Sequence, residues 1–122
     1  MATYSLTLGT PSSSAVYVNT DTDETEDTLV AASTVVQAIE IDNTANSAVT
    51  YVKMANATAA NIVPGTTDPG WVFMAPAQSS ISYMFPLGTT MNVALTVWAV
   101  TTPGTDGGTG PTSAVTVRLL VQ

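Results

Sequence analysis

Apolar and polar residues alternate with a period of two along most of this chain. In "TYSLTL", Tyr4, Leu6 and Leu8 share one face. In "SISYMF", Ile81, Tyr83 and Phe85 alternate with Ser80, Ser82 and Met84. In "NVALTVWAV", Val93, Leu95 and Val97 form one row. In "AVTVRLLV", Val115, Val117, Leu119 and Val121 face one way, with Thr116 and Arg118 on the other side. "VVQAIEID" sets Ile39 and Ile41 against Glu40 and Asp42. Successive side chains of a strand point to opposite faces, whereas a helix repeats every 3.6 residues, so these runs predict half-buried strands. "VTYVKM" and "WVFM" are β-branched or aromatic and read as strands too, and "AVYV", Ala15 to Val18, as a short one.

Turn chemistry separates the runs: "GTPSSS", "DNTANS", "VPGTTDPG", "PLGTT" and "TPGTDGGTGP". Short strands between Gly, Pro, Asn and Asp turns predict an all-β fold. The expected form is an antiparallel β-sandwich, Ig-like or jelly-roll-like, of about eight short strands. Two stretches are ambiguous. "TLVAASTV" fits a strand or one to two helical turns, and "ANATAANI", Ala55 to Ile62, fits a loop carrying a short helix. At 122 residues the chain is one expected domain, 1–122, with no repeat or dividing linker. "GTPSSS" after the first strand suggests that about residues 1–30 form an N-terminal arm exchanged between protomers.

Composition removes whole classes of chemistry. With no Cys there is no disulfide, thiolate metal site or Cys nucleophile. With no His, the commonest general base and transition-metal ligand is missing. Lys53 and Arg118 are the only basic residues, and the net charge is −7. That disfavours nucleic acid and anionic membrane as partners, since both are held by clustered Lys and Arg. No apolar run approaches the about 20 residues of a membrane-spanning helix. The N-terminal stretch lacks the basic and apolar regions of a secretory signal, so synthesis in a cytoplasm is expected. Charged residues make up 9% of the chain against about 25% in a typical domain. Low charge suits surfaces that end up packed against neighbours.

Over half of the nine acidic residues lie in "NTDTDETEDT": Asp21, Asp23, Glu24, Glu26 and Asp27. Asp21, Asp23 and Glu26 are the weak metal candidates. An EF-hand loop, however, needs a Gly at its sixth position and a later bidentate Glu, and both are missing. A glycosidase pair needs a cleft, which adjacent residues of one polar stretch do not imply. The expected form is a solvated loop with an exposed tip. Glu40 and Asp42 read as the solvated face of a strand, with Arg118 able to pair with one of them.

"GTDGGTG" lacks the Lys-Ser/Thr ending and following helix of a P-loop, and reads as a long hairpin loop. The serines have neither a His nor a Ser-x-x-Lys partner. Asn56-Ala57-Thr58 is a nominal glycosylation sequon without a secretory context. Trp98 falls in the row of Asn92, Ala94 and Thr96, opposite Val93, Leu95 and Val97. Such an outward Trp is covered by a second layer of its own chain, meets another subunit, or forms with Trp71 a sugar-stacking platform.

From Thr50-Tyr51-Val52-Lys53-Met54 onward the motifs are more specific. Asn56-Ala57 follows, then the turn Gly65-Thr66-Thr67-Asp68-Pro69, then Phe85-Pro86-Leu87-Gly88, then the strand "VALTVWAVT". This succession, over residues 43 to 121, resembles small virion structural proteins of tailed bacteriophages, of the capsid decoration or cement type. Pro76-Ala77-Gln78 departs from that pattern, in which the turn carries Gly at the third position. The resemblance implies a β-sandwich without catalytic residues, cofactor or metal.

The expected function is therefore non-enzymatic. The chain is read as a decoration protein on the outer surface of a phage head, binding the major capsid protein and copies of itself as a homo-oligomer, a trimer for instance. Alternatives are a tail, neck or fibre component of the same fold, and a carbohydrate-binding module using Trp71 or Trp98. The interface candidates are Trp98, Trp71, Tyr51, Lys53, Arg118, Pro64 and Pro69, with the loops 55–69 and 101–111.

Overall fold

The computed structural model describes residues 15–122, and the expected strand "TYSLTL" lies outside them. Eight strands form in order: β1 (Ala15–Thr22), β2 (Asp27–Val30), β3 (Thr34–Asp42), β4 (Thr50–Ala55), β5 (Trp71–Ala75), β6 (Ser80–Met91), β7 (Leu95–Val100) and β8 (Val115–Val121). A short 3-10 turn, Ala59–Asn61, interrupts the loop after β4, as the ambiguous "ANATAANI" allowed.

Two four-stranded antiparallel sheets face each other, sheet I in the order β1-β8-β3-β6 and sheet II in the order β2-β7-β4-β5. Every connection but β4–β5 crosses from one sheet to the other. This is the jelly-roll form of the sandwich, which leaves four edges: β1, β6, β2 and β5.

The alternation predicted from sequence fills the space between the sheets. Val36, Ile39 and Ile41 of β3 and Val115, Val117, Leu119 and Val121 of β8 meet Val52 and Met54 of β4, Phe73 of β5 and Leu95 and Val97 of β7, all buried. Phe73 closes one side, with ring centroids 5.4 Å from Tyr83 and 5.8 Å from Phe85. The Tyr83 hydroxyl donates to the Met74 carbonyl at 2.6 Å, which ties edge strand β6 to edge strand β5 across the two sheets.

A polar hub holds one end of the sandwich. Asn43, fully buried, donates through Nδ2 to the carbonyls of Ala48 and Pro76 at 3.1 Å and of Ala75 at 3.2 Å. Its Oδ1 accepts from Asn46 Nδ2 at 2.8 Å and Thr50 Oγ1 at 3.0 Å. Asn46 in turn exchanges two 2.8 Å bonds with the backbone of Ser113. The β3–β4, β5–β6 and β7–β8 connections are thus tied at one point. Buried backbone carbonyls without partners would cost about 1–3 kcal/mol each, so the two Asn side chains satisfy what three converging loops leave open.

Several expectations are corrected. The acidic run is not a loop: Asn19–Thr22 completes β1, Asp27 begins β2, and Asp23–Glu26 alone turns between the sheets. "PLGTT" does not turn the chain. It lies inside β6, where Phe85–Gly88 bulge opposite Gln37, between the pairs Met84–Ala38 and Thr89–Val36. Pro86 is tolerated there because β6 is an edge strand. Gly88 has φ +71, and a Cβ on it would lie 2.6 Å from Val35 Cγ1. "GTDGGTG" joins β7 in sheet II to β8 in sheet I, so it is a crossover and not a hairpin. Of the expected arm, residues 1–14 lie outside the described residues, and residues 15–30 pair within the chain, β1 with β8 from Ala15–Val121 to Thr22–Val115 and β2 with β7.

Candidate interaction surface

The outer faces of the two sheets differ. On sheet II, Trp98 and Val100 of β7 and Ala55 of β4 point away from the main core, yet all are buried. Ile62 from the β4–β5 loop packs on them. The β7–β8 loop lies alongside, with Thr105 Oγ1 donating to Asp68 and Gly108 against the Pro64 carbonyl. The two loops expected to contact other subunits therefore contact each other.

This settles the position of the predicted interface residues. Trp98 is 1% exposed and Lys53 1% exposed, both enclosed by their own chain, so neither offers a surface to a partner or a sugar. The Lys53 ammonium donates to the Gly104 carbonyl. Burial pushes its pKa below the usual 10.5, and the Asp106 carboxylate works in the opposite direction. Trp71 is half-buried against the main core, and Tyr51, Pro64 and Pro69 are half-buried as well. Arg118 alone of the seven is exposed.

The weak metal candidates do not converge. Among the described residues no three Asp or Glu side chains are grouped to hold an ion. Asp21 lies on β1, Asp23 Oδ1 accepts from the Thr25 N–H at 2.8 Å, and Glu24 packs on Gly110. Asp27 accepts from Asn19 Nδ2 at 2.8 Å. The acidic turn is seated against the crossover loop, with Glu24 and Thr25 as its exposed tip.

The outer face of sheet I is bare. Its strand registers set the outward side chains in rows that run across all four strands. The first row is Val16 on β1, Leu120 on β8, Ala38 on β3 and Met84 on β6. The second is Val18, Arg118, Glu40 and Ser82. In the third, Asp42 on β3 stands between Thr116 and Ser80. The first row is apolar throughout. Val16 is 60% exposed and Met84 78%, and Leu87 in the β6 bulge is exposed as well. Val18 and Leu120 are also exposed. A shallow depression of about 280 Å³ opens between Val16, Leu120, Arg118, Ala38 and Ser82. In the second row Arg118 Nη1 donates to Glu40 Oε1 at 2.9 Å, an open pair worth at most about 1 kcal/mol. In the third, the Thr44 hydroxyl and backbone N–H donate to Asp42 and hold its carboxyl below the usual 3.8.

Sequence reasoning found Arg118 and its Glu40 partner and missed the apolar row. The signal was the interruption of alternation. "AVYV" and "RLLV" carry apolar residues on both faces, and Met84 stands in an otherwise serine row. A strand that faces solvent on one side has no need of these side chains. A contiguous exposed apolar band marks a place where another surface docks. No family model, characterised protein or solved structure matches the chain.

Proposed function

We propose that this chain is a non-enzymatic structural protein of a bacteriophage virion, a decoration protein that binds the assembled head. The observation that carries the reading is the apolar row Val16–Leu120–Ala38–Met84, an exposed face spanning a whole sheet. A broad apolar face with one shallow depression suits a protein neighbour, whereas small-molecule sites bury most of their ligand in a cleft. The jelly roll is a recurrent architecture of viral capsid and lectin domains, and the motifs of residues 43–121 resemble phage virion proteins. In this reading many copies bind the major capsid protein and one another. Each bound copy favours the assembled shell over free subunits by mass action. Fold alone does not assign function, so the weight rests on the exposed face.

The test is immunogold labelling of phage particles from the source lysate with an antibody against this chain. Gold spread over the heads is the expected result. Gold confined to tails or necks moves the protein to another virion position, and unlabelled particles overturn the proposal.

A further inference from the structure

We propose that the outer face of sheet I docks a second copy of this chain, in a two-fold pair whose axis runs parallel to the strands between β8 and β3. The inference rests on the reading above only in taking this face as a protein-docking surface.

The face is complementary to itself. A two-fold axis along the strands keeps each row opposite itself and reverses the order across the sheet. β8 then lies over the partner's β3, and β1 over the partner's β6. In the apolar row, Leu120 comes over the partner's Ala38, and Val16 over the partner's Met84. The largest side chain near the axis meets the smallest, and the depression beside Ala38 receives it. In the second row, Arg118 comes over the partner's Glu40, and Val18 over the partner's Ser82. In the third, Asp42 comes over the partner's Thr116. No like charges are opposed, although the chain carries −7 overall.

Other placements of the axis lose this match. Shifted onto β8, the axis sets Arg118 over the partner's Arg118, and shifted onto β3 it sets Glu40 over the partner's Glu40. Face-to-face sheets pack about 10 Å apart and rotated by about 30°. That rotation displaces residues near the axis least, and these are Leu120, Ala38, Arg118 and Glu40. A C2 interface uses the same patch on both subunits, which is the property this face has. Two-fold, and not three-fold, is the symmetry the row reversal gives.

Sedimentation equilibrium of the purified chain tests it, with charge exchange as the specific readout. The parent protein is expected to dimerise. Arg118→Glu leaves four acidic groups at the centre of the pair and Glu40→Arg four basic ones, so each variant alone should dissociate at least about tenfold more readily. An equimolar mixture should recover the parent affinity to within about threefold, since each copy then presents the charge the other lacks. Both positions are exposed, and an unchanged urea midpoint, after allowance for the lost Glu40 pair, checks the fold. Leu120→Glu should abolish the dimer without rescue. A parent chain that stays monomeric up to about 1 mM, a trimer, or a mixture no tighter than the single variants overturns the proposal. Labelled phage heads with a monomeric protein would leave the virion reading standing without this pairing, and a dimer with unlabelled particles the reverse.

Discussion

Asn46 donates its side-chain amide to Oδ1 of Asn43 across 2.8 Å, and both residues are buried where three inter-sheet loops converge. Asn43 has no apolar substitute here. Asn43→Ala leaves the Thr50 hydroxyl, the Asn46 amide and up to three carbonyls without their partner. Urea denaturation should show a loss of about 3–4 kcal/mol. Thr50→Ala, which removes one donor to the same oxygen, should cost about 1 kcal/mol.

Gln78 holds φ +55 and donates its backbone N–H to the Asn46 carbonyl at 2.9 Å. That conformation favours glycine, and here a residue with a side chain holds it. Gln78→Gly should raise stability by about 1 kcal/mol, because the left-handed region costs a side-chain-bearing residue about that much. Thermal melting reads this as a rise of a few degrees.

Two buried polar atoms have no hydrogen-bond partner among the described residues, Thr22 Oγ1 and Trp98 Nε1. Replacing each by an apolar group of like shape removes a desolvated polar atom and no bond. Thr22→Val should be neutral or stabilising by up to about 1 kcal/mol, and Trp98→Phe should lose at most about 1–2 kcal/mol through volume alone. Trp98→Ala should cost about 3–5 kcal/mol. Fluorescence separates the two indoles, because the Trp98 contribution should be blue-shifted and resist acrylamide more than that of half-buried Trp71.

Lys53 carries a charge that burial disfavours, so its folded-state pKa lies below the unfolded value of 10.5. Below the folded pKa both states are protonated and the full penalty is present. As pH rises from there toward 10.5 the unfolded chain holds more protons, and the penalty disappears. Lys53→Met should therefore be more stable than the parent near neutrality by on the order of 1 kcal/mol. That advantage should shrink with rising alkaline pH, measured as paired urea midpoints. An advantage independent of pH would assign it to packing.

Asp42 has the opposite sign. Its carboxyl is held below 3.8 by the Thr44 hydroxyl and N–H, so it adds stability above the unfolded pKa and loses it as pH falls through the folded one. Thr44→Val should remove part of that contribution, so it should lower stability more at pH 7 than at pH 3, where protonation already cancels part of it, measured as urea midpoints at the two values.

Period-two alternation made the inward rows of β3, β6 and β8 legible, because one-sided burial writes its period directly into composition. The acidic stretch reads as a loop because dense charge usually marks one, whereas Asn19 to Thr22 are held in β1 by backbone pairing to β8, distant in sequence. "PLGTT" misled because Gly and Pro punctuate turns and edge-strand bulges alike. The Asn43 hub was invisible for another reason. "DNTANS" reads as an ordinary polar turn, and only the arrival of Ala75, Pro76 and Ser113 buries it. On the outer face of sheet I, Arg118 was legible as an outward residue in a clean alternation. The apolar row was not, because it depends on registers among strands from Val16 to Leu120.

The place of β8 in the centre of sheet I has a consequence for biosynthesis. Strands β1 and β3 belong to one sheet only through β8, which is made after both and pairs with each. Until β8 is available, β1 has no strand to pair with in sheet I. Pairings of such long sequence separation fold slowly. A chain cut short before β8 would therefore leave β1 unpaired and open to its neighbours, and the insertion of β8 is the event that commits this molecule to its shape.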